Sequence, residues 1–281
     1  MSLFLYLDGK FCYEENAHIS FNDRGYQFGD AVYEVIMYES GHFLDMKGHI
    51  KRLRKSLLRM DFNLDVSDNA IEVIMHRLME KNKITSGSIY IQVSRGSYAR
   101  DHSYVNMKLK PVLLIIPKSI KDKFSSNSKG IKVCTTFDTR WSYPDIKTTQ
   151  LLPNVMAKSM AIKNGFDEAI FIDKNELITE GSSSNFWIFD KNKNLVTRSL
   201  DGKILAGITR ESILNYAKNN NINVIEKKIS MNDVRNCLEV FITSASSFVT
   251  PVTQVDDIKI NKGKVGKISM LLRKSYLNFL V

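Results

Sequence analysis

Cysteine is scarce: 281 residues hold only Cys12, Cys134 and Cys237. They are far apart, odd in number and without metal-ligand spacing, so neither a disulfide framework nor a metal site is expected, and a reducing, cytoplasmic setting is. No apolar run approaches the roughly 18 residues of a membrane-spanning helix. The start, "MSLFLYLDGKF", has no basic lead and no cleavage site, and it soon alternates as a strand would; it does not read as a signal peptide. Internal repeats and low-complexity tracts are lacking. The balance of 40 basic against 30 acidic residues leaves a formal charge of +10. The lysines nevertheless form no block and no stripe interleaved with aromatics, so neither a nucleic-acid partner nor a membrane partner is expected. The sign of the charge would suit an acidic small substrate.

What is present is an ordinary globular composition, 43% hydrophobic and 25% charged, in a chain long enough for two domains. "SLFLYLDGKFCYE" reads as a hairpin turning at Asp8-Gly9, and "AVYEVIMYESGHFLDM" as a second turning at Ser40-Gly41. The period then changes. Ile50, Leu53 and Leu57 fall at helical spacing, as do Ile71, Ile74, Met75 and Leu78 behind a Ser67 cap. "GSIYIQVSRG" and "PVLLIIPK" return to strand. The polar, serine-rich stretch 118–130 is the expected linker. Beyond it lie strands at "IKVCTTFDT", "DEAIFID", "LITEGSSSNFWIFD", "EVFITSASS" and "VTQVDDIKI". Helices follow at "PNVMAKSMAIKNG", "GITRESILNYAKNN", "SMNDVRNC" and "VGKISMLLRKSYLNFL". The expected fold class is therefore a two-domain α+β / α/β chain: a small N-terminal α+β domain, 1–120, and a larger mixed-sheet C-terminal domain, 121–281.

Several residues stand out against this background. Glu180 interrupts an apolar strand, where a carboxylate is costly unless something positive pairs with it; the plainer alternative is a sheet-edge Glu facing water. Lys147 sits between Ile146 and a Thr-Thr-Gln-Leu-Leu run. An amine buried among neutral groups is a candidate nucleophile, while a snorkelling surface lysine is the default. "AGITRES" opens a helix with Gly207, Ile208 and Thr209, either an anion pocket built of backbone N–H groups and a hydroxyl or an ordinary Thr-capped helix. "TSASS", 243–247, ends a strand in small hydroxyl residues. Arg52 shares a basic helix with Lys51, Arg54 and Lys55, and a solvated face explains all four. "SYARDH", 97–102, sets Arg100 and His102 one residue apart, as a charged turn or as an anion clamp. A lysine nucleophile, a partner for a protonated heterocycle and a phosphate cup are together the set that holds pyridoxal phosphate.

The order and wording of the segments "DRGYQFGDAVYEV", "HIKRL", "RWSYPDIKTTQLLPNVMAK", "DEAIF", "TEGSSSNFWI", "GITRESIL" and "FITSASSFVTP" resemble the fold-type IV pyridoxal-phosphate enzymes, nearly end to end. That group holds branched-chain aminotransferases, D-amino acid aminotransferases and aminodeoxychorismate lyases. The resemblance implies pyridoxal 5'-phosphate as cofactor, with Lys147, in the C-terminal domain, as its lysine anchor and proton shuttle. It implies Glu180 at the pyridine nitrogen, Arg52 at the phosphate, Ile208 and Thr209 binding phosphate, Leu205 behind the ring, and Ser244 and Ala245 at a further cofactor-facing turn. Where some relatives carry Thr, this chain has Ala245, which leaves a backbone N–H for that contact.

"RGSYARDH" is similar to the Arg-x-His segment of the D-amino acid aminotransferases. There the Arg and His reach across a dimer interface and, with a tyrosine matching Tyr33, hold the substrate carboxylate. A guanidinium binds a carboxylate bidentately, and imidazole and phenol complete the cradle. The clamp is accordingly the favoured reading. It carries the expectation of a homodimer that shares its site and runs ping-pong transamination of D-amino acids such as D-alanine, with 2-oxoglutarate or pyruvate as acceptor. Transamination of L-branched-chain amino acids and aminodeoxychorismate lyase chemistry are the alternatives on the same fold.

Overall fold

The computed structural model describes residues 2–120 and 128–278. Its contacts divide the chain into two compact units, Met1–Lys121 with Ile146–Gln150, and Asp122–Asp145 with Leu151–Val281. Each holds its own sheet, so the chain is a mixed α/β protein with two sheets. Of the expected linker, residues 121–127 lie outside the described residues, while Lys118 and Ser119 complete a strand. The expectation that the C-terminal domain carries Lys147 is corrected. Residues 146–150 belong to the first unit because their backbone bonds there: Tyr33 N donates to Lys147 O over 3.0 Å and Thr149 N to Ala31 O over 3.0 Å.

The first sheet contains β1 (Phe4–Leu7), β2 (Lys10–Tyr13), β3 (Ala31–Glu39), β4 (His42–Phe43), β5 (Ser86–Ser94) and β6 (Val112–Ser119), in the order β2-β1-β6-β5-β3-β4 and antiparallel throughout. Both expected hairpins form. Asp8 and Gly9 adopt φ of 42° and 90°, and Ser40 and Gly41 adopt 48° and 95°, the left-handed pairing that a two-residue turn needs. A short helix that the sequence reading lacked, α1 (Arg24–Phe28), precedes β3. Asp23 caps it by accepting from Gly25 N and Tyr26 N, and Gly29 closes it at φ 67°. Five residues are too few to display a helical period.

Strand alternation sends Val32, Ile36, Ile89, Ile91 and Val93 to one face, where they meet Ile50, Leu53 and Leu57 of α2 (Met46–Arg59) and Ile71, Met75 and Leu78 of α3 (Asp68–Lys81). Each such fully buried side chain contributes about 1.5–3 kcal/mol. Glu34 lies on this same apolar face. Tyr33, Val35, Tyr90 and Gln92 take the opposite face, because Tyr33 pairs with Gln92 and Val35 with Tyr90 in register.

The second sheet is mixed. It comprises β7 (Ile131–Phe137), β8 (Glu168–Ile172), β9 (Leu177–Gly181), β10 (Asn185–Phe189), β11 (Leu195–Thr197), β12 (Val224–Glu226), β13 (Ile229–Ser230), β14 (Glu239–Ser244), β15 (Phe248–Val255) and β16 (Ile258–Lys259). The order is β12-β11-β10-β14-β15-β7-β8-β9-β13, with β16 on β15. The β15–β7, β7–β8 and β11–β12 pairs are parallel. The run "LITEGSSSNFWIFD" is therefore two strands, not one: the serines at 182–184 break it, β9 joining β8 and β10 joining β14. Across β10–β14, Trp187 stacks on Phe241 at 5.5 Å and donates its indole N–H to Thr243.

The helices α4 (Leu152–Lys163), α5 (Ile208–Asn219), α6 (Met231–Asn236) and α7 (Lys267–Asn278) accompany this sheet. Ser230 and Asp233 form a reciprocal cap of α6. Among the described residues no helix is long and apolar enough to cross a membrane.

Candidate active site

In the first unit, Lys147 runs antiparallel to the start of β3, and Val32 and Thr148 form an isolated bridge. Its ammonium lies 4.2 Å from the centre of the Tyr33 ring, the cationic face contact expected of an amine beside a phenol. Among the described residues its Nζ has no hydrogen bond or ion pair. The side chain is half-buried, not snorkelling into bulk water. Tyr33 is 5.7 Å from Tyr90, ring to ring, and Tyr90 donates to Gln92 Oε1 over 2.7 Å. Burial, with Tyr33 beside it, pushes the Tyr90 phenol up to about 12. A cavity of about 340 Å³ on this unit is lined by Asp23, Gly25, Tyr26, Gln92, Ser94 and Thr149 among others; of these, Gln92 pairs with Tyr33 in register and Thr149 follows Lys147 by two residues.

Arg52 is not part of a solvated face. Its Nε donates to Glu34 Oε1 over 2.7 Å and its Nη2 to Glu34 Oε2 over 2.8 Å, and His49 Nδ1 lies 2.7 Å from the same carboxylate. Burial alone would raise Glu34. Arg52 and His49 outweigh it and hold the carboxyl at about 2. Lys51 and Lys55 do face solvent, and Arg54 pairs with Asp68.

Arg100 and His102 lie on an exposed loop, and among the described residues their side chains form no hydrogen bond or ion pair. Both sit by Phe28, Arg100 at 5.0 Å and the imidazole at 5.6 Å from its ring centre.

In the second unit, Glu180 is 4% exposed, so the water-facing alternative is excluded. It accepts from Asn185 Nδ2 over 3.0 Å and from Leu205 N over 3.1 Å, and it pairs with Arg140 Nη1. Arg140 spends its Nε and Nη2 on Asp138, at 2.9 and 2.7 Å. Burial raises the Glu180 carboxyl above its ordinary value, Arg140 opposes this, and the Asp138 charge adds to the rise.

Thr209 does not cap α5. Gly207 is the N-cap, no side chain caps it, and Thr209 Oγ1 is buried without a partner among the described residues. A buried hydroxyl left unpaired is costly, and here it stands in the first turn of a helix whose N–H groups favour an anion. Ile208 is buried beside it, and Leu205 also accepts from Asn185 Nδ2 at its carbonyl. Ser244 ends β14, its hydroxyl 2.6 Å from that of Ser247, and Ala245 is half-buried in the turn that follows.

Sequence reasoning singled out Glu180 and Arg52 but missed what holds them. Arg140 could have been sought, since a buried carboxylate demands a cation and "RWSYPDIK" supplies one. Glu34 gave a weaker signal, as an acid in the middle of an apolar strand.

Residues 31–255 match the model of the amino-transferase class IV family. The chain belongs to the class IV aminotransferases. As such it is a pyridoxal-phosphate-dependent enzyme. This aminotransferase is 34% identical over 276 residues to the D-alanine aminotransferase of Staphylococcus epidermidis, covering 98% of this chain and 97% of that one. It is 36% identical to the D-alanine aminotransferase of Listeria monocytogenes, covering 95% and 92%. Among solved structures, the branched-chain amino acid aminotransferase of Escherichia coli superposes with a TM-score of 0.89 at 21% identity, covering 100% of this chain and 95% of that one. At that identity the likeness speaks for the fold.

The residues present fit the cofactor. In the second unit, Thr209 offers a phosphate a hydroxyl that is unpartnered among the described residues, α5 offers it a helix N-terminus, and Glu180 offers a ring nitrogen a buried carboxyl; in the first unit, Lys147 offers an aldehyde an amine without hydrogen bond or ion pair among the described residues.

Proposed function

We propose that this aminotransferase transfers the amino group of D-amino acids, of the D-alanine type, to 2-oxoglutarate or pyruvate in a ping-pong cycle. The single observation that carries the reading is the half-buried Lys147 amine, which has no ionic partner among the described residues and faces the Tyr33 ring. The likeness to D-alanine aminotransferases over almost the whole chain supports the choice of substrate.

Pyridoxal phosphate, when bound, supplies an aldehyde carbon and an electron-accepting ring. Thr209 and the backbone N–H groups of Ile208 and Thr209 would hold its phosphate, with Ser244 and Ala245 at the neighbouring turn and Arg52 adding charge. Glu34 fixes the direction of the Arg52 guanidinium. Leu205 would back the ring. Glu180, buried and steadied by Asn185, would keep a proton on the ring nitrogen. The Lys147 amine would take the proton from the substrate Cα and return it on the other side of the exchange. Tyr33, Arg100 and His102 would hold the substrate carboxylate, and that grip decides which Cα–H faces Lys147.

Arg100 and His102 are exposed and their side chains form no hydrogen bond or ion pair among the described residues, which supports a homodimer whose site they complete. Three free cysteines suit a reducing cytoplasm. The test is a spectrum of the purified enzyme followed by single turnovers with D-alanine and with L-alanine or L-leucine. Loss of the cofactor band with the D-enantiomer alone is expected. A response to the L-donors alone would move the reading to branched-chain transamination. Lys147→Ala should lose the cofactor band and turnover together.

A further inference from the structure

The loop carrying Arg100 and His102 is exposed from Ser97 to Asn106. A mobile loop pays an ordering cost each time its side chains grip a ligand. This loop is held from beneath. Arg24, 4% exposed, donates Nη1 to Asp101 O over 2.6 Å and to Ser103 O over 3.5 Å, and Nη2 to His102 O over 3.2 Å. One guanidinium thus takes three successive carbonyls, the first directly after Arg100.

Arg24 is itself fixed. Its Nε donates to Asp30 Oδ2 over 2.9 Å, and the same oxygen accepts from Arg95 Nε over 2.8 Å. Arg95 in turn donates to Asp61 O and Met60 O, at the end of α2. Its guanidinium lies 3.9 Å from the ring centre of Tyr104, in the same loop. Phe28, one helical turn after Arg24, places its ring 4.8 Å from the Arg24 guanidinium and beside Arg100 and His102. Two buried guanidinium groups share the one Asp30 carboxylate oxygen, which ties the base of the loop to a single buried anchor.

We propose that Arg24 is a positioning residue that sets Arg100 and His102 for the substrate carboxylate, with Asp30 and Arg95 as its anchor. The proposal deepens the D-amino acid reading and rests on it. Lysine cannot replace Arg24, because an ammonium is a point donor and lacks the planar fork that spans three carbonyls.

Arg24→Lys keeps the charge and tests the fork. The KM for D-alanine should rise by about 100-fold, the loss that follows displacement of a binding group by about 1 Å, while kcat stays near the parent value and the D/L ratio shrinks. Amide exchange should quicken at 101–106 and nowhere in α2 or β3. Hydroxylamine has no carboxylate, and the rate at which it removes the cofactor band should be unchanged. An unchanged KM, or a hydroxylamine rate altered as much as KM, overturns the proposal.

A second measurement compares like with like: trypsin should cut the Arg100–Asp101 bond faster in the Arg24→Lys holoenzyme than in the parent holoenzyme, and equal rates overturn the anchoring. Arg100→Ala separates the two possible failures. An unchanged KM in Arg100→Ala sinks the carboxylate reading itself. A raised KM there beside an unchanged KM in Arg24→Lys sinks the role of Arg24 alone.

Discussion

Two buried glutamates, one in each unit, face arginines and respond in opposite ways. Glu34 receives two bonds from Arg52 and a third contact from His49, and its carboxyl is held at about 2. Glu180 receives one Arg140 nitrogen and two neutral donors, Asn185 and Leu205 N, and its carboxyl is raised by burial. The difference lies in how the cation is divided. Arg52 turns its Nε and Nη2 to Glu34, whereas Arg140 gives its Nε and Nη2 to Asp138. Burial raises Asp138 too, but its bonds from Arg140 and Thr179 outweigh that and hold it below its ordinary value. Burial alone therefore does not set the charge of an interior acid. The number of bonds from a cation does, two from Arg52 against one from Arg140, and it makes Glu34 a fixed anion and leaves Glu180 ready for a cationic partner such as a protonated ring nitrogen.

The largest expected effect that bears on this contrast is in turnover. Glu180→Gln should lower kcat with D-alanine by about 1000-fold, within the range of a lost electrostatic and proton-holding group. A change below about threefold would place Glu180 outside the chemistry.

Next in size is stability. Glu34→Gln removes the buried charge that Arg52 and His49 share and should cost about 3–5 kcal/mol in denaturant unfolding. Glu180→Gln keeps an amide that can still meet Leu205 N, and it should cost far less or stabilise the cofactor-free protein at neutral pH.

The pH dependence should split in the same way. Glu34 is lowered from 4.5 to about 2, so its stabilisation is complete above pH 4.5 and is lost as the pH falls through about 2. That amounts to about 3 kcal/mol, and Glu34→Gln should flatten this acid limb of the unfolding profile. Glu180 is raised, so its contribution has the opposite sign: it is present in acid and lost as the pH climbs through its folded value. A parallel response of the two variants to pH would erase the contrast.

The smallest effect concerns Asp138. Asp138→Asn frees Arg140 for Glu180 and should lower the Glu180 carboxyl. A double-mutant cycle in kcat with Glu180→Gln should return a coupling of about 1 kcal/mol. Additive effects would mean that the two acids do not compete for Arg140.

The legible parts of the molecule were the local ones. The turns at Asp8-Gly9 and Ser40-Gly41 were readable because two adjacent residues carry the signal, and α2 and α3 because apolar residues repeat within one turn. Glu180 was readable as an anomaly in an apolar strand. Arg140, 40 residues away, was not, since nothing local announces which cation will arrive. Arg52 stood equal to Lys51, Arg54 and Lys55 until Glu34 was seen beneath it. The serines at 182–184 were read as a continuation of strand, although they divert the chain from the β8 side of the sheet to the β14 side. Residues 146–150 were grouped with the C-terminal domain that follows them, although their hydrogen bonds join β3.

The amino-acid order by itself determined the elements, their caps and turns, and the kinds of group available for transamination, because those depend on contacts within a few residues. Only the tertiary structure decided which unit carries Lys147, which acid stays ionised and which arginine steadies the Arg100 loop. Those outcomes depend on partners that are distant in sequence and meet only when the sheets have formed and water has been excluded.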